Sequence, residues 1–165
     1  MNFWLMKSEP EVYSIDNLFK DKFTLWEGVR NYQARNFMMN SMAVGDLVLF
    51  YHSNANPSGI AGLAKVSRTK LIDQTQFNSK SEYFDPKAGV DHPRWFCVEV
   101  EYLLKLKSVI TLDDLRAHTS LLKMGVLQKG QRLSVMPVAL NEFEYIYKNW
   151  ISPTKSRDNF DSLNI

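Results

Sequence analysis

The sequence predicts an α+β domain in which a mixed or antiparallel sheet curls into a small barrel flanked by short helices. Apolar stretches of strand length lie at both ends of the chain and in its middle, over residues 2–7, 46–52, 60–69, 94–106 and 131–138. Helical patterns separate several of these stretches, and hairpin-like neighbours favour a partly antiparallel sheet. The chain has 165 residues, of which 45% are apolar, so it is long enough to bury a core as one domain.

The first predicted elements are a strand and a capped helix. Residues 2–7 form a short buried strand, and the helical turns over 14–20 begin at Ser14, whose hydroxyl can cap them. The next stretch, residues 23–28, is expected to be extended and to end at the flexible Gly28.

A second helix is predicted between residues 31 and 42. Ala34, Met38 and Met42 fall on one helical stripe, while asparagines occupy the opposite side. Two apolar strands follow, and the loop SNANPSG between them has a turn-forming composition, which makes an antiparallel hairpin of the pair.

The second half of the chain predicts a long loop, a long strand and two more helices. Residues 73–94 are polar and irregular, and a long loop inside a compact domain is often functional. The longest strand follows it, and Thr111 can cap a short helix after that strand. The last helix is expected over 140–150. We therefore expect one domain over residues 1–150 and a C-terminal tail over 151–165 that is partly disordered.

Composition narrows the classes of function. The formal net charge is only +2, so any contact with nucleic acid has to come from a local patch. Cys97 is the single cysteine, which excludes an internal disulfide and a Cys-rich zinc site and favours a reduced, cytoplasmic setting. The apolar start is too short for a signal peptide, and no stretch reaches the length of a membrane span. We expect a monomer that does not bind membranes.

No catalytic or cofactor motif is evident in the sequence. His52, His92 and His118 are isolated, without metal-ligand spacing, so we expect no metal. Cys97 lies in an apolar run and is expected to be buried and inert. Phosphate-binding glycine loops and the G-x-S-x-G motif are absent, and we expect no cofactor and no catalytic residue.

The segment LWEGVRNYQARNFM, residues 25–38, is unusual for a solvated stretch. It combines Trp26 with four side chains that carry planar hydrogen-bonding ends, Arg30, Asn31, Gln33 and Arg35. Planar donors beside an aromatic plate suit a planar ligand. The alternative is structural: Trp26 would belong to the core, and the arginines would donate hydrogen bonds to backbone carbonyls.

Further polar and aromatic residues lie at predicted strand ends and in the long loop. Loops on a rigid sheet are where binding sites collect, so we expect these residues to share a site with the 25–38 segment. They are Lys7, Ser8, Tyr51, His52, Ser53, Asn54, Tyr83, Phe84 and Arg132.

Several ordered motifs resemble one known family. They are FWLMKSEP, WEGVRNYQARNFM, FYHSN, GIAGLAKV, YFDP, PRWFCVEV and QRLSVMPV, and the resemblance covers residues 2 to about 150. In this order they resemble the EVE domain family, which includes thymocyte nuclear protein-like chains. The resemblance implies a PUA-like fold, a curved mixed β-barrel flanked by short helices, and kinship with the YTH domain. It also implies binding of modified bases in DNA or RNA.

The resemblance to YTH domains extends to particular residues. Trp26 is similar to the first tryptophan of the aromatic cage that holds N6-methyladenosine, and Lys7-Ser8 is similar to the end of the first YTH strand. In EYFDP, however, only Tyr83 and Phe84 stand where YTH domains place further cage aromatics. The resemblance therefore implies a pocket for a planar base and does not imply a methyladenosine cage.

Three functions remain open from the sequence. The leading hypothesis is a non-enzymatic module that binds modified nucleobases in an aromatic and polar pocket. The alternative is a small hydrolase that acts on modified nucleosides, with Lys7 and Glu9 as base and acid. The third is an interaction module in which the planar residues are purely structural.

Overall fold

The computed structural model describes residues 1–154, and the six strands found there pair into one mixed sheet. The strands are β1 (Phe3–Ser8), β2 (Phe23–Leu25), β3 (Leu47–His52), β4 (Gly59–Ile72), β5 (Phe96–Thr111) and β6 (Val135–Val138). Their order across the sheet is β2-β5-β4-β3-β1-β6. Strands β1 and β3 are parallel, and the other neighbouring strands are antiparallel.

Short helices complete the α+β architecture that the sequence predicts. They are α1 (Ile15–Asp21), α2 (Tyr32–Asn36), α3 (Leu112–Arg116) and α4 (Leu140–Ile146). Helices α2 and α4 continue as π-helical turns over Phe37–Ser41 and Tyr147–Ile151, and the loop after β4 begins with a 3₁₀ turn over Gln74–Phe77. No helix within residues 1–154 is long and apolar enough to cross a membrane.

Both faces of the central strands are buried, which accounts for their continuous apolar sequences. Alternate residues of β1 enter different cores, because successive strand side chains point to opposite faces. The first core lies on one face and is built around Phe3, Leu5, Leu49, Leu63 and Phe143. The second core lies on the other face and is built around Trp4, Met6, Phe50, Val98 and Met38.

Different helices cover the two cores. Leu115 of α3 and Phe143 of α4 pack into the first core. The second core receives Ile15 and Leu18 from α1 and Ala34 from α2. The predicted apolar stripe of the second helix is confirmed, since Ala34, Met38 and Met42 are all buried.

The predicted caps are also confirmed. The Ser14 hydroxyl accepts a hydrogen bond from the Asn17 backbone N–H at the start of α1. Thr111 accepts one from the Asp114 N–H at the start of α3. In both helices the side-chain oxygen of the third helical residue accepts a hydrogen bond from the backbone N–H of the cap residue, so two otherwise unpaired amides are satisfied.

The predicted barrel is not confirmed, because the sheet has two edges, β2 and β6. Both edge strands are short, with three and four residues, and β6 contains Pro137, which cannot donate to a ladder. Register shifts along the β4–β5 pair mark bulges, and bulges bend strands.

Two element boundaries differ from the sequence prediction. The final strand is limited to Val135–Val138, whereas residues 131–138 were expected to be extended throughout. The predicted tail starts at Ile151, yet this side chain is buried in the first core after α4. The rest of the predicted tail, residues 155–165, lies outside the described residues.

A buried carboxylate joins the start of β1 to the turn before β3. Asp46 is 1% exposed. It accepts hydrogen bonds from the Trp4 indole N–H at 2.9 Å, from the Asn2 backbone N–H at 2.8 Å and from the Ala43 backbone N–H at 3.0 Å. All three donors are uncharged, so Asp46 satisfies backbone and indole groups without an ion pair.

Candidate functional site

A cleft of about 690 Å³ opens on the side of the second core. Its volume falls within the range of small-molecule sites. Seven of the predicted site residues line it: Lys7, Ser8, Trp26, Arg30, Ser53, Tyr83 and Arg132. Glu9, Val12, Tyr13, Thr24, Leu25, Glu27, Gly28, Val29, Thr75, Glu82 and Ser134 complete the lining.

One side of the cleft, the strand wall, consists of Lys7, Ser8, Ser53, Arg132 and Ser134. The ends of the central strands meet here because β1 and β3 run parallel, which pairs Ser8 with His52. The Ser53 N–H donates to the Ser8 carbonyl at 3.0 Å, and the Lys7 N–H donates to the Ser134 carbonyl at 2.7 Å. The sheet itself therefore fixes the backbone of the strand wall.

The opposite side, the loop wall, consists of residues 26–30 with Thr75 and Tyr83. Trp26 follows β2 and donates its backbone N–H to the Val98 carbonyl at 2.8 Å. Its side chain is 8% exposed and meets the Phe50 ring edge-on, with 5.3 Å between ring centroids. Trp26 thus belongs to the second core and also lines the cleft.

A second buried carboxylate, Asp73, holds the loop wall in place. It is 1% exposed. It accepts hydrogen bonds from the Gly28 N–H at 2.9 Å, from the Arg30 guanidinium at 2.8 Å and from the Thr75 N–H at 2.9 Å. Burial alone raises the pKa of Asp73, but its hydrogen bonds to Arg30, Thr75 and Gly28 outweigh burial and lower the pKa below its usual value.

Arg30 is used mainly as a structural clamp. Besides its ion pair with Asp73, its guanidinium donates to the Tyr83 carbonyl at 2.9 and 2.6 Å and to the Thr75 hydroxyl at 3.0 Å. These bonds join the loop after β2 to the loop after β4. The structural alternative for Arg30 is therefore borne out by its contacts, although the residue still lines the cleft.

The Tyr83 ring packs directly against Gly28. The Gly28 φ angle is +80°, in the region that favours glycine. A Cβ atom at this position would come within 2.8 Å of the Tyr83 ring. Gly28 is therefore required twice, by its backbone conformation and by the close approach of the ring that completes the loop wall.

The charges at the cleft are mixed, and two of the cations lack an acidic partner within residues 1–154. Lys7 and Arg132 line the strand wall, and neither makes an ion pair within residues 1–154. Burial lowers the pKa of Lys7. On the opposite side, burial raises the pKa of Glu27, and the neighbouring Asp73 carboxylate adds to this effect. Arg30, Glu9 and Glu82 line the cleft as well, so cationic and acidic groups are both present there.

The other seven predicted site residues lie outside the cleft, and four of them have structural partners. Asn31 caps α2 by accepting from the Ala34 N–H at 3.0 Å. His52 accepts at Nε2 from the Ile15 N–H at 3.1 Å. Tyr51 points into the first core, because odd-numbered residues of β3 face that side. Arg35 donates to the Arg94 carbonyl at 2.8 Å.

The remaining three are exposed side chains. Gln33 lies on the outer face of α2. Asn54 contacts Glu9 from outside the cleft, with 3.5 Å between the amide nitrogen and the carboxylate oxygen. Phe84 is 40% exposed and follows Tyr83 in the loop, so the chain presents one of the two neighbouring aromatics to the cleft.

Sequence reasoning missed the group that fixes the loop wall. Asp73 directly follows β4 and caps the 3₁₀ turn over Gln74–Phe77. An Asp after a strand, with Thr two residues later, is a recognisable turn signal. Nothing in the local sequence, however, links Asp73 to Gly28 and Arg30, which lie more than 40 residues earlier.

Metal-binding and thiol chemistry find little support in the described part of the chain. Within residues 1–154, no three His, Cys, Asp or Glu side chains form a cluster that could hold a metal ion. Cys97 is buried, and burial raises the pKa of its thiol to about 12. A thiol with this pKa is a poor nucleophile at neutral pH.

Comparisons of the sequence and of the structure with known proteins both find similar proteins. The EVE domain matches residues 2–149. Human thymocyte nuclear protein 1 is 40% identical over 161 residues, covering 87% of this chain and 71% of the human protein. A solved protein from Leishmania major is 46% identical with a TM-score of 0.85, over 90% of this chain and 93% of that one. The human THYN1 protein in complex with DNA containing 5-methylcytosine is 38% identical with a TM-score of 0.83, over 90% of this chain and 96% of that one.

Proposed function

The chain belongs to the EVE domain family, and from that premise we propose that its cleft binds a modified nucleobase carried by DNA or RNA, without turnover. A human relative was solved with DNA that contains 5-methylcytosine, so this base is the first candidate. The single observation that carries the proposal is the pairing of Trp26 with polar and cationic groups across one cleft that is large enough to admit a nucleobase.

The cleft supplies both kinds of contact that an extruded base needs. A base taken out of the stack requires an aromatic or apolar surface for its ring and hydrogen-bonding groups for its Watson–Crick edge. Trp26, Val29 and Tyr83 offer the first, and Ser8, Ser53 and Glu27 offer the second. Lys7 and Arg132 add positive charge, which suits the phosphates on either side of the base.

A panel of labelled oligonucleotides tests the proposal directly. Each strand of DNA or RNA carries one central modified base, beginning with 5-methylcytosine, and has an unmodified twin. We expect at least one modified oligonucleotide to bind more tightly than its twin, measured by fluorescence anisotropy in single-stranded and duplex form. Equal affinities for every pair would overturn the proposal.

The Trp26→Leu variant tests the position of the site. Losing the indole should weaken binding of the preferred oligonucleotide by roughly 1–3 kcal/mol, about tenfold to hundredfold. Because Trp26 is 8% exposed, the variant also loses stability. Phe50→Leu is the matched control: it removes the ring packed against Trp26 in the second core and should lower stability without a comparable loss of affinity. An unchanged affinity in folded Trp26→Leu would remove Trp26 from the site.

A hydrolase acting on modified nucleosides is the second candidate, and one observation favours it. Lys7 is half-buried with a lowered pKa, and it shares the cleft with Glu9. Catalytic lysines are often tuned in this way. Incubation with acetylated and methylated nucleosides, followed by chromatography, distinguishes the candidates. Turnover that disappears in Lys7→Ala would replace the binding proposal with the hydrolase.

We propose in addition a PUA-like architecture related to the YTH domain, a monomeric state and a cytoplasmic location. The EVE domain would occupy residues 1–150 and the tail 151–165. Light scattering coupled to size-exclusion chromatography tests the oligomeric state. Imaging of a fluorescent fusion tests the location, for which the relatives' name, thymocyte nuclear protein, suggests a competing compartment.

A further inference from the structure

An exposed group beside the cleft combines one tyrosine with two arginines, and we refer to Tyr32, Arg35 and Arg94 as the arginine platform. Tyr32 is 49% exposed and stacks on the buried Trp95, with ring centroids 4.9 Å apart and planes 20° from parallel. The guanidinium carbons of Arg35 and Arg94 lie 4.7 and 6.0 Å from the centre of the Tyr32 ring. Two guanidinium groups are thus held around one exposed aromatic ring.

Both guanidinium groups are positioned but not saturated. Arg35 donates to the Arg94 carbonyl at 2.8 Å and to the Asn36 side-chain oxygen at 3.1 and 2.8 Å. Arg94 donates to the Tyr32 hydroxyl. A guanidinium group carries five N–H donors, so each arginine keeps donors for a further acceptor. Phosphate oxygens are the acceptors that a guanidinium fork matches best.

The charge of the platform also favours an anion. Within residues 1–154, Arg35 has no acidic partner. Arg94 approaches Asp85 at 3.6 Å, but that carboxylate already accepts from the Trp95 indole N–H at 2.8 Å. The two positive charges of the platform therefore have one nearby carboxylate, which approaches only Arg94, and a bound anion would relieve their repulsion.

A continuous series of stacked groups connects the platform with the cleft. The Arg30 guanidinium carbon lies 5.6 Å from the centre of the Tyr83 ring, which lines the cleft. It also lies 5.1 Å from the centre of the Trp95 ring, on which Tyr32 stacks. Only Arg30 and Trp95 therefore separate the Tyr32 ring of the platform from the Tyr83 ring of the cleft.

We propose that the arginine platform binds a backbone phosphate next to the nucleotide whose base enters the cleft. This inference rests on the proposed function and adds a contact that does not depend on whether the base is modified. Phosphate contacts fix the register of a strand and carry no sequence information. The platform should therefore contribute equally to the binding of modified and unmodified strands, while the cleft should decide between them.

Single variants separate the two contributions. Arg35→Gln and Arg94→Gln each remove one guanidinium, and Lys148→Gln is the charge-matched control on the helix that packs against the first core. Affinities for the 5-methylcytosine oligonucleotide and its unmodified twin are measured at four salt concentrations. Thermal melts establish that each variant is folded. Arg94→Gln keeps the test valid if Arg35→Gln fails to fold.

We expect each platform variant to weaken binding of both strands by a similar factor, about tenfold, and to reduce the slope of log affinity against log salt by about 1. The ratio between modified and unmodified strands should stay constant, and Lys148→Gln should match the parent. Parental affinity and slope in both folded platform variants would overturn the inference, even if the parent prefers the modified strand. Equal affinities of the parent protein for the modified and unmodified oligonucleotides would instead overturn the proposed function.

Discussion

The two walls of the cleft are held in place by different means. The strand wall follows from the register of the sheet, in which the parallel pair β1–β3 brings Ser8 beside His52 and Ser53. The loop wall depends on one buried carboxylate, because Asp73 accepts from Gly28, Arg30 and Thr75. The strand wall is therefore supported by many distributed hydrogen bonds, whereas a single substitution can release the loop wall.

A second buried carboxylate, Asp46, can be compared with Asp73. Asp46 and Asp73 are both 1% exposed, and both accept backbone N–H groups. Asp46 joins the start of β1 to the turn before β3, away from the cleft, and its donors are uncharged. Asp73 joins two loops at the cleft and is paired with Arg30. Equivalent substitutions at the two positions separate loss of stability from loss of the site.

The largest effect is expected for Asp73→Ala. Removing this carboxylate leaves the Arg30 charge without its partner and two backbone N–H groups without an acceptor. Breaking a buried ion pair typically costs 3–5 kcal/mol, and because Arg30 is 22% exposed we expect about 3 kcal/mol. Urea denaturation measures this loss. The folded variant should also bind the preferred oligonucleotide at least about tenfold more weakly, because the loop wall is displaced.

Asp46→Ala is the control for Asp73→Ala. It also removes a buried acceptor, and unpaired donors should lower the free energy of unfolding by about 2 kcal/mol. Its folded fraction should bind the oligonucleotide as the parent does. If Asp46→Ala and Asp73→Ala weakened binding equally, the loop wall would have no special dependence on Asp73.

A smaller effect on the same wall is expected for Gly28→Ala. The alanine would have to adopt the positive φ of Gly28. Its Cβ would also lie 2.8 Å from the Tyr83 ring, so Tyr83 must move. We expect a loss of about 2 kcal/mol in the free energy of unfolding. Gly45→Ala is the matched control, since Gly45 has φ +95° but no atom within 4 Å of its Cβ position. It should lose about 1 kcal/mol from backbone strain alone.

The difference between the two glycine variants measures the Tyr83 contact. A second substitution, Tyr83→Ala, should remove most of that difference when it is combined with Gly28→Ala, because the clash disappears. Equal losses in the free energy of unfolding for Gly28→Ala and Gly45→Ala would show that Tyr83 moves without destabilising the protein. That result would contradict tight packing of the loop wall.

The strand wall could be predicted from the sequence, and most of the fold with it. The sequence shows strand ends as apolar runs that stop at polar residues. This pattern predicts Lys7, Ser8 and Ser53 as site residues. The caps Ser14 and Thr111 were predicted for a similar reason, since a cap acts on residues within one helical turn. Local rules succeed where the position of a residue follows from the pattern of its own segment, as at a strand end or a helix cap.

The loop wall could be predicted only in part, because side-chain hydrogen bonds between separate segments hold it and no local pattern specifies them. The planar ends of the 25–38 segment were grouped as one ligand-binding set, but the structure divides them. Arg30 faces the cleft while clamping Asp73 and Tyr83, Asn31 caps α2, and Arg35 belongs to the platform. Which donor meets which acceptor is decided by tertiary packing, and no periodicity in the sequence reports it.

The smallest expected effect concerns His52, which lies at the end of β3 beside Ser8 of the strand wall. Its Nε2 accepts a hydrogen bond from the Ile15 N–H, which requires a neutral ring. Burial lowers the pKa of His52. The smaller effects of the two neighbouring charges oppose each other, because Asp16 raises the pKa and Lys105 lowers it. The unfolded chain protonates this ring near pH 6.5. Below that value the unfolded state binds more protons than the folded state, so stability decreases as the pH falls.

Urea midpoints between pH 7.5 and 5.5 should therefore decline in the parent and stay flatter in His52→Gln, whose amide oxygen can still accept from Ile15. The parent and His52→Gln share every carboxyl group, including Glu27 with its raised pKa, so the difference between their slopes reports His52. His92→Gln is the control, because His92 is exposed, and it should retain the parental decline. An equal decline in His52→Gln and the parent would mean that His52 exchanges its proton as freely in the folded chain as in the unfolded one. The strand wall would then depend on backbone pairing alone, which would make its contrast with the carboxylate-held loop wall sharper still.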